Sequence, residues 1–129
     1  MLGLFNIFGR ADSLKALDQA FRTFDIHPRT VPEAVKLTTI RLMRRASDAG
    51  HKLRDADYEK AAELLSYSIL GRDQFVASNT LAASVVAERR LEQAIADGDS
   101  LDAELLLLAL HSGLIHSRIA DQFDIETNE

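Results

Sequence analysis

Leu101–Ile119, LDAELLLLALHSGLIHSRI, decides how the chain is read. Leu101, Leu105, Leu106, Leu107, Leu108, Leu110, Leu114, Ile115 and Ile119 cover most of a helix circumference instead of one stripe. A helix that is apolar nearly all round must be covered on every side, by other helices or by lipid. Glu104, His111, His116 and Arg118 interrupt the run, which falls far short of the roughly 20 apolar residues of a membrane span. The stretch is therefore expected to be a central core helix wrapped by the others. It names no chemistry.

Working backwards, Gly98 closes the preceding helix and Asp99-Ser100 caps the core helix. That preceding helix is expected over Asp73–Asp97. Phe75, Leu81, Ala82, Val85 and Val86 group on one side, whereas Leu91 and Ile95 fall on another, so two packing partners are expected along its length. A third helix is expected over Asp55–Leu70, with Tyr58, Ala61, Ala62, Leu65 and Ile69 as its stripe and Asp55 and Asp57 at its positive end. Gly71 either separates these two helices or kinks one long one, and the sequence leaves both open.

Thr30-Val31-Pro32-Glu33 reads as the start of a second helix, with Thr30 as cap, Pro32 in the first turn and Glu33 reaching back. Gly50 is its expected end. A first helix is expected from Asp12 or Ser13, with Leu14, Leu17, Phe21 and Phe24 on one face, stopped by His27-Pro28. No stretch alternates with period two, and no repeat or linker divides the chain. The tail 123–129 is expected to fray. The expectation is all-α: residues 1–129 as a single-domain bundle of about five helices around the apolar C-terminal core helix.

The chain has 129 residues, 47% hydrophobic and 27% charged, which excludes wholesale disorder. It contains no cysteine, so disulfides, thiolate metal sites and cysteine nucleophiles are excluded and a cytoplasmic location is expected. The net charge of −5 is uneven. Residues 1–54 carry 10 Lys/Arg against 5 Asp/Glu, and residues 55–129 carry 5 against 15. Such halves are expected to attract each other inside the fold.

No catalytic, cofactor or metal signature emerges. His111 and His116 are five apart, where a helical zinc pair needs four with a glutamate between. His27 and His51 have no neighbours at ligand spacing. Asp55, Glu59 and Glu63 form an acidic row, as do Glu88 and Glu92, but the Glu-x-x-His pair of di-iron bundles occurs nowhere. Such rows read as solvated faces. Ser112 and Ser117 lie near histidines without an assignable acid. Phosphate-binding loops, nucleophile elbows and dinucleotide fingerprints are absent. Ile119–Ile125 is followed by too little chain for a recognition helix.

Arg41, Arg44, Arg45, Lys52 and Arg54 form a candidate anion or partner patch. No aromatic residue interleaves them and the chain is acidic, so nucleic acid is not the expected partner. Arg41 and Arg45 are instead expected to face the acidic row of the third helix. Residues 1–9 supply the candidate interaction surface: Leu2, Leu4, Phe5, Ile7 and Phe8 crowd five large apolar side chains into one short segment. A basic n-region and a cleavage site are lacking, so the segment is not read as a signal peptide. It can be covered by the first helix, by a membrane surface or by another subunit. With only Arg10 and Lys15 nearby, peripheral membrane contact is the weaker expectation. The functional expectation is a small helical protein acting by protein–protein interaction or self-association, such as a homodimer. The alternative is a module that holds a small apolar or anionic ligand between helices.

Overall fold

The computed structural model describes the backbone of residues 2–47 and 52–125, and the side chains of 11–47 and 52–125. Among these it is all-helical, with α1 (Leu2–Thr23), a 3-10 turn at Pro28–Thr30, α2 (Glu33–Ala46), α3 (Asp55–Leu70), α4 (Arg72–Ser78), α5 (Leu81–Asp97), α6 (Leu101–His111) and α7 (Ser117–Gln122). Seven α-helices replace the expected five or so because two expected helices, over 73–97 and 101–119, are each interrupted.

The first correction concerns α1. It starts at Leu2, eleven residues before Ser13, and runs through the expected cap positions without a break. Ser13 is buried and serves the core instead of capping. The helix ends before His27-Pro28. Asp25, at φ +62°, turns the chain, while the N–H groups of Asp25 and Ile26 donate to the carbonyls of Arg22 and Phe21 at 3.0 Å each. This left-handed ending satisfies carbonyls that the last turn leaves free. Thr30 ends the 3-10 turn that follows instead of capping α2, which is preceded by Pro32 without a side-chain cap. The helix stops at Ala46, and Gly50 lies outside the described residues.

The second correction concerns Leu101–Ile119, which is two helices. Gly113, at φ +70°, ends α6, with its N–H and that of Leu114 donating to Leu110 and Ala109 at 3.1 and 2.9 Å. The His116 N–H donates to the Ser68 carbonyl at 2.8 Å and pins the restart to α3. Asp73–Asp97 is likewise interrupted. Asn79 departs from helical geometry and its amide donates to the carbonyls of Phe75 and Phe24, at 3.2 and 3.4 Å, while Thr80 caps α5 through the Ala83 N–H at 3.0 Å. Gly71, at φ +81°, separates α3 from α4, which resolves the alternative left open above.

The third correction is the identity of the central helix. It is α3, which packs against α1, α4, α5 and α6 and touches α2. Tyr58, Ala61, Ala62, Leu64, Leu65, Ser66, Tyr67 and Ser68 are all buried, covering every side of its C-terminal half. Small side chains make this feasible: Ala61, Ala62, Ser66 and Ser68 let neighbouring backbones come close, and the Ser68 hydroxyl donates to the Leu64 carbonyl at 2.8 Å. By contrast α6 buries Ala103, Leu105, Leu106 and Ala109 but leaves Leu107 48% exposed and Leu108 only half-buried. The tail is also partly corrected. Asp124, at φ +52°, ends α7, and Phe123 and Ile125 pack against the core, whereas 126–129 lie outside the described residues.

Candidate interaction surface

The packed face of α1 is set by Ser13, Leu17, Ala20 and Phe21, all buried, with Leu14 and Phe24 partly buried beside them. At about 100° per residue, positions 4, 8, 11, 15 and 22 fall within an arc of roughly 60° on the side away from Leu17. Ala11, Lys15 and Arg22 are indeed exposed. Because α1 is one unbroken helix, residues 2–10 prolong it and cannot fold back onto its own Leu14, Leu17, Phe21 and Phe24 face. The side chains of Leu2, Leu4, Phe5, Ile7 and Phe8 lie outside the described residues.

Further exposed apolar side chains are carried by α5 and α6. Leu81 is 59% exposed and Val86 51%, with Val85, Ile95 and Leu107 also exposed. The buried side of α5 is Ser84, Ala87, Leu91 and Ala94, three of them small residues that seat it closely on its neighbours. Apart from Leu91, its larger aliphatics sit outside the core, although hydrophobicity alone had grouped Leu81, Val85 and Val86 as packing residues. The signal was present in the sequence: alanines at helical spacing mark where a neighbour comes close, and they lie on the other side.

The five cations of the candidate patch do not converge. Arg44 donates to the Ser13 hydroxyl at 2.7 Å, and the Tyr58 hydroxyl donates to the same oxygen at 3.1 Å. Lys52 lies with Arg44, Asp12 and Asp55 along one cleft beside α1. Arg45 turns the other way and pairs with Glu104 of α6, not with the acidic row of α3. Arg41 is exposed, and Arg54 sits at the start of α3, where its backbone N–H donates to Asp57 at 2.8 Å. Nor does the acidic row act as one unit. Asp55 and Glu59 are exposed, whereas Glu63 accepts from Arg90 at 3.2 Å.

Arg90 is the best-satisfied charge of the fold. Its Nε and Nη2 donate to both Asp102 oxygens at 3.1 and 2.9 Å, and Nη1 also donates to the Lys60 carbonyl at 2.8 Å, tying α3, α5 and α6 together. Burial opposes the guanidinium charge, but the hydrogen bonds and charges of Asp102 and Glu63 outweigh it and hold the pKa above its ordinary value. Of the five ion pairs among the described residues, only Arg45–Glu104 joins the basic half of the chain to the acidic half. Among these pairs the expected attraction between the halves is represented by Arg45–Glu104.

Two of the histidines have structural duties. His27 Nδ1 accepts from the Arg29 N–H, and His116 Nδ1 from the Arg118 N–H, both at 3.1 Å. Both belong to an Ile-His-x-Arg sequence, at 26–29 and 115–118, a short recurrence that a search for longer repeats passes over. His111 is exposed and His51 lies outside the described residues. Among the described residues no group of three or more His, Asp or Glu side chains is placed to hold a metal ion. In the same range, no helix is long and apolar enough to cross a membrane.

One further concavity, of about 350 Å³, opens between α2, α3 and the α5–α6 turn. Met43, Leu53, Ala61 and Leu105 form its apolar floor, and Lys60 stands on its rim. Lys60 has no side-chain partner among the described residues. Comparison of the chain with protein families, curated proteins and solved structures yields no match.

Proposed function

We propose that this protein acts by protein–protein interaction, with self-association as its form, from a cytoplasmic location. The observation that carries this reading is the continuity of α1. In one unbroken helix from Leu2 to Thr23 the apolar residues 2–8 cannot be covered by that helix's own Leu14, Leu17, Phe21 and Phe24 face, which leaves the cover to other surfaces, and we assign it to another molecule. Burying a large apolar side chain contributes about 1.5–3 kcal/mol, so several docking together offset the entropy lost on association. The exposed aliphatics of α5 and α6 add a second adhesive surface. Deleting residues 2–8 tests the reading through mass in solution, melting temperature and vesicle sedimentation. The expected result is a smaller particle with a lower melting temperature. Unchanged mass and melting with lost vesicle binding would assign the segment to membranes instead.

The 350 Å³ concavity supports a second reading, a small ligand combining an apolar body with an anionic group near Lys60. An anilinonaphthalene sulfonate has that chemistry. One-to-one binding that weakens in Lys60→Ala supports the reading, and no saturable binding to the native protein removes it.

A further inference from the structure

Two helix starts in this chain are capped by histidine. Helix ends favour Ser, Thr, Asp and Asn in that place, and none of these changes charge near neutral pH. His27 and His116 both stand in Ile-His-x-Arg, and in each the ring Nδ1 accepts the N–H two residues on, at 3.1 Å. An imidazole accepts there only while it is neutral, with its one proton on Nε2. We propose that His116 is a pH-sensitive latch, which holds α7 on α3 when neutral and lets it open when protonated.

The attachment of α7 is concentrated at its base. With six residues it does not persist alone, since isolated helices need roughly 12–15. The His116 N–H donates to the Ser68 carbonyl at 2.8 Å. Its ring rests on Gly71, where an added Cβ would lie 3.1 Å from Cγ and Nδ1. The missing side chain at 71 thus admits the ring to the end of α3 and holds Nδ1 in position. Beyond His116, Ile119 and Ala120 are buried, Arg118 pairs with Asp73 at 2.8 Å, and Gln122 donates to Glu88 at 2.6 Å. The Arg118–Asp73 pair is exposed on both sides and adds little.

A second proton on the ring turns Nδ1 from acceptor into donor, so that it faces the Arg118 N–H donor against donor. The charged and titratable groups on the elements that meet α7 do not compensate. These are Arg72 and Asp73 of α4, Glu88 of α5, His111 at the end of α6, and Arg118 and Asp121 of α7 itself. The last turn of α3 brings none. Asp73 and Glu88 are engaged by Arg118 and Gln122, and His116 makes no ion pair among the described residues. The capped state needs the neutral ring. Its contribution is therefore present above the range in which imidazoles charge and is lost as the pH falls through it. Opening bares Ile119, Phe123 and Ile125 together with the core surface they cover. At His27 the same loss has less consequence, because Ile26, Pro28 and Val31 are buried around the turn and pin it.

Amide hydrogen exchange of the full chain at about pH 7.5 and about pH 5.5, expressed as protection factors, reads the latch. Protection of the His116, Ile119 and Ala120 amides is expected to fall on the order of tenfold between the two. The Thr30 amide, which donates to the His27 carbonyl at 2.9 Å, is expected to change less. His116→Asn keeps a cap that does not titrate, and in it the fall is expected to vanish. Nitrogen NMR of the unsubstituted protein supplies a reading that needs no variant. The His116 ring is expected to carry its proton on Nε2 when neutral, and to titrate with the same midpoint as the loss of protection. An equal fall in wild type and His116→Asn overturns the latch, as does protection that stays level in the wild type. A neutral ring protonated on Nδ1, or two separate midpoints, overturns it as well.

Discussion

Helices α3 and α6 invert what their sequences suggest. α6 is the most uniformly apolar stretch in the chain, yet Leu107 is 48% exposed and its eleven residues border only part of the core. α3 includes Asp55, Asp57, Glu59, Lys60 and Glu63 and two serines in its last turns, yet it is the helix against which α1, α4, α5 and α6 pack. Hydrophobicity measures how much a helix gains from cover, whereas centrality depends on how many neighbours can reach it. The second is governed by small side chains. Ala61, Ala62, Ser66 and Ser68 thin α3 where neighbours converge, while consecutive leucines give α6 bulk on all sides and hold neighbours off some of them.

The largest expected effect tests that contrast directly. Leu65→Ala on α3, at a site 1% exposed, is expected to cost about 2–5 kcal/mol from lost transfer energy and the cavity left behind. Leu107→Ala on α6 is expected to stay within about 0.5 kcal/mol of wild type, as an exposed substitution. Chemical denaturation of the two variants decides the matter. Equal losses would mean that α6 is as central as its composition implies.

The glycines that end the two helices give a smaller effect in the same direction. Both require positive φ, +81° for Gly71 and +70° for Gly113, so alanine is strained at each. A Cβ at Gly71 would also come within 3.1 Å of the His116 ring, whereas at Gly113 nothing lies within 4 Å. Gly71→Ala is therefore expected to cost about 1–3 kcal/mol and Gly113→Ala about 1 kcal/mol, read as melting shifts. An equal shift would show that the His116 ring gives way freely and does not lock the end of α3.

These contrasts also mark what was legible in the sequence. The bounds of α3 follow from Asp55 and Gly71, and the ends of α5 and α6 from Gly98 and Ser100, because capping chemistry is local. The all-α class follows from the absence of alternation. The break at Asn79-Thr80 was hidden because helical spacing continues on either side, and the decisive hydrogen bond reaches across to Phe24. The end of α1 was placed late because Asp25 is not glycine, yet adopts the left-handed turn. Asp12 and Ser13 looked like caps because the sequence does not show whether a serine is wanted by a helix end or by buried partners, here Tyr58 and Arg44. Of the candidate site, the apolar character of residues 2–8 was legible. The exposure of Leu81, Val85 and Val86 was legible only through the alanines that mark the buried side of α5.

The smallest expected effect concerns a burden that α3 carries for being central. Tyr67 is fully buried, its ring edge-on to Phe75 at 5.4 Å, and its hydroxyl has no hydrogen-bond partner among the described residues. Burial first, with the nearby carboxylates of Glu88 and Glu92 adding to it and Arg72 opposing, pushes its pKa above the ordinary 10.0. The sign follows from which state binds the proton. Below about pH 10 both folded and unfolded chains keep the phenol proton, so Tyr67 adds no pH dependence there. As the pH rises above 10 the unfolded chain ionises first, and stability is lost progressively until the folded value is passed. Tyr67→Phe removes an unpaired buried hydroxyl while keeping the ring, so at neutral pH it is expected to be neutral or stabilising by up to about 1 kcal/mol. Above pH 10 it is expected to lose less stability than wild type. Melting curves of both proteins from pH 7 to 11 measure this. A variant less stable than wild type at neutral pH would show that the hydroxyl is satisfied in solution, by an ordered water, and that α3 bears no such cost at its centre.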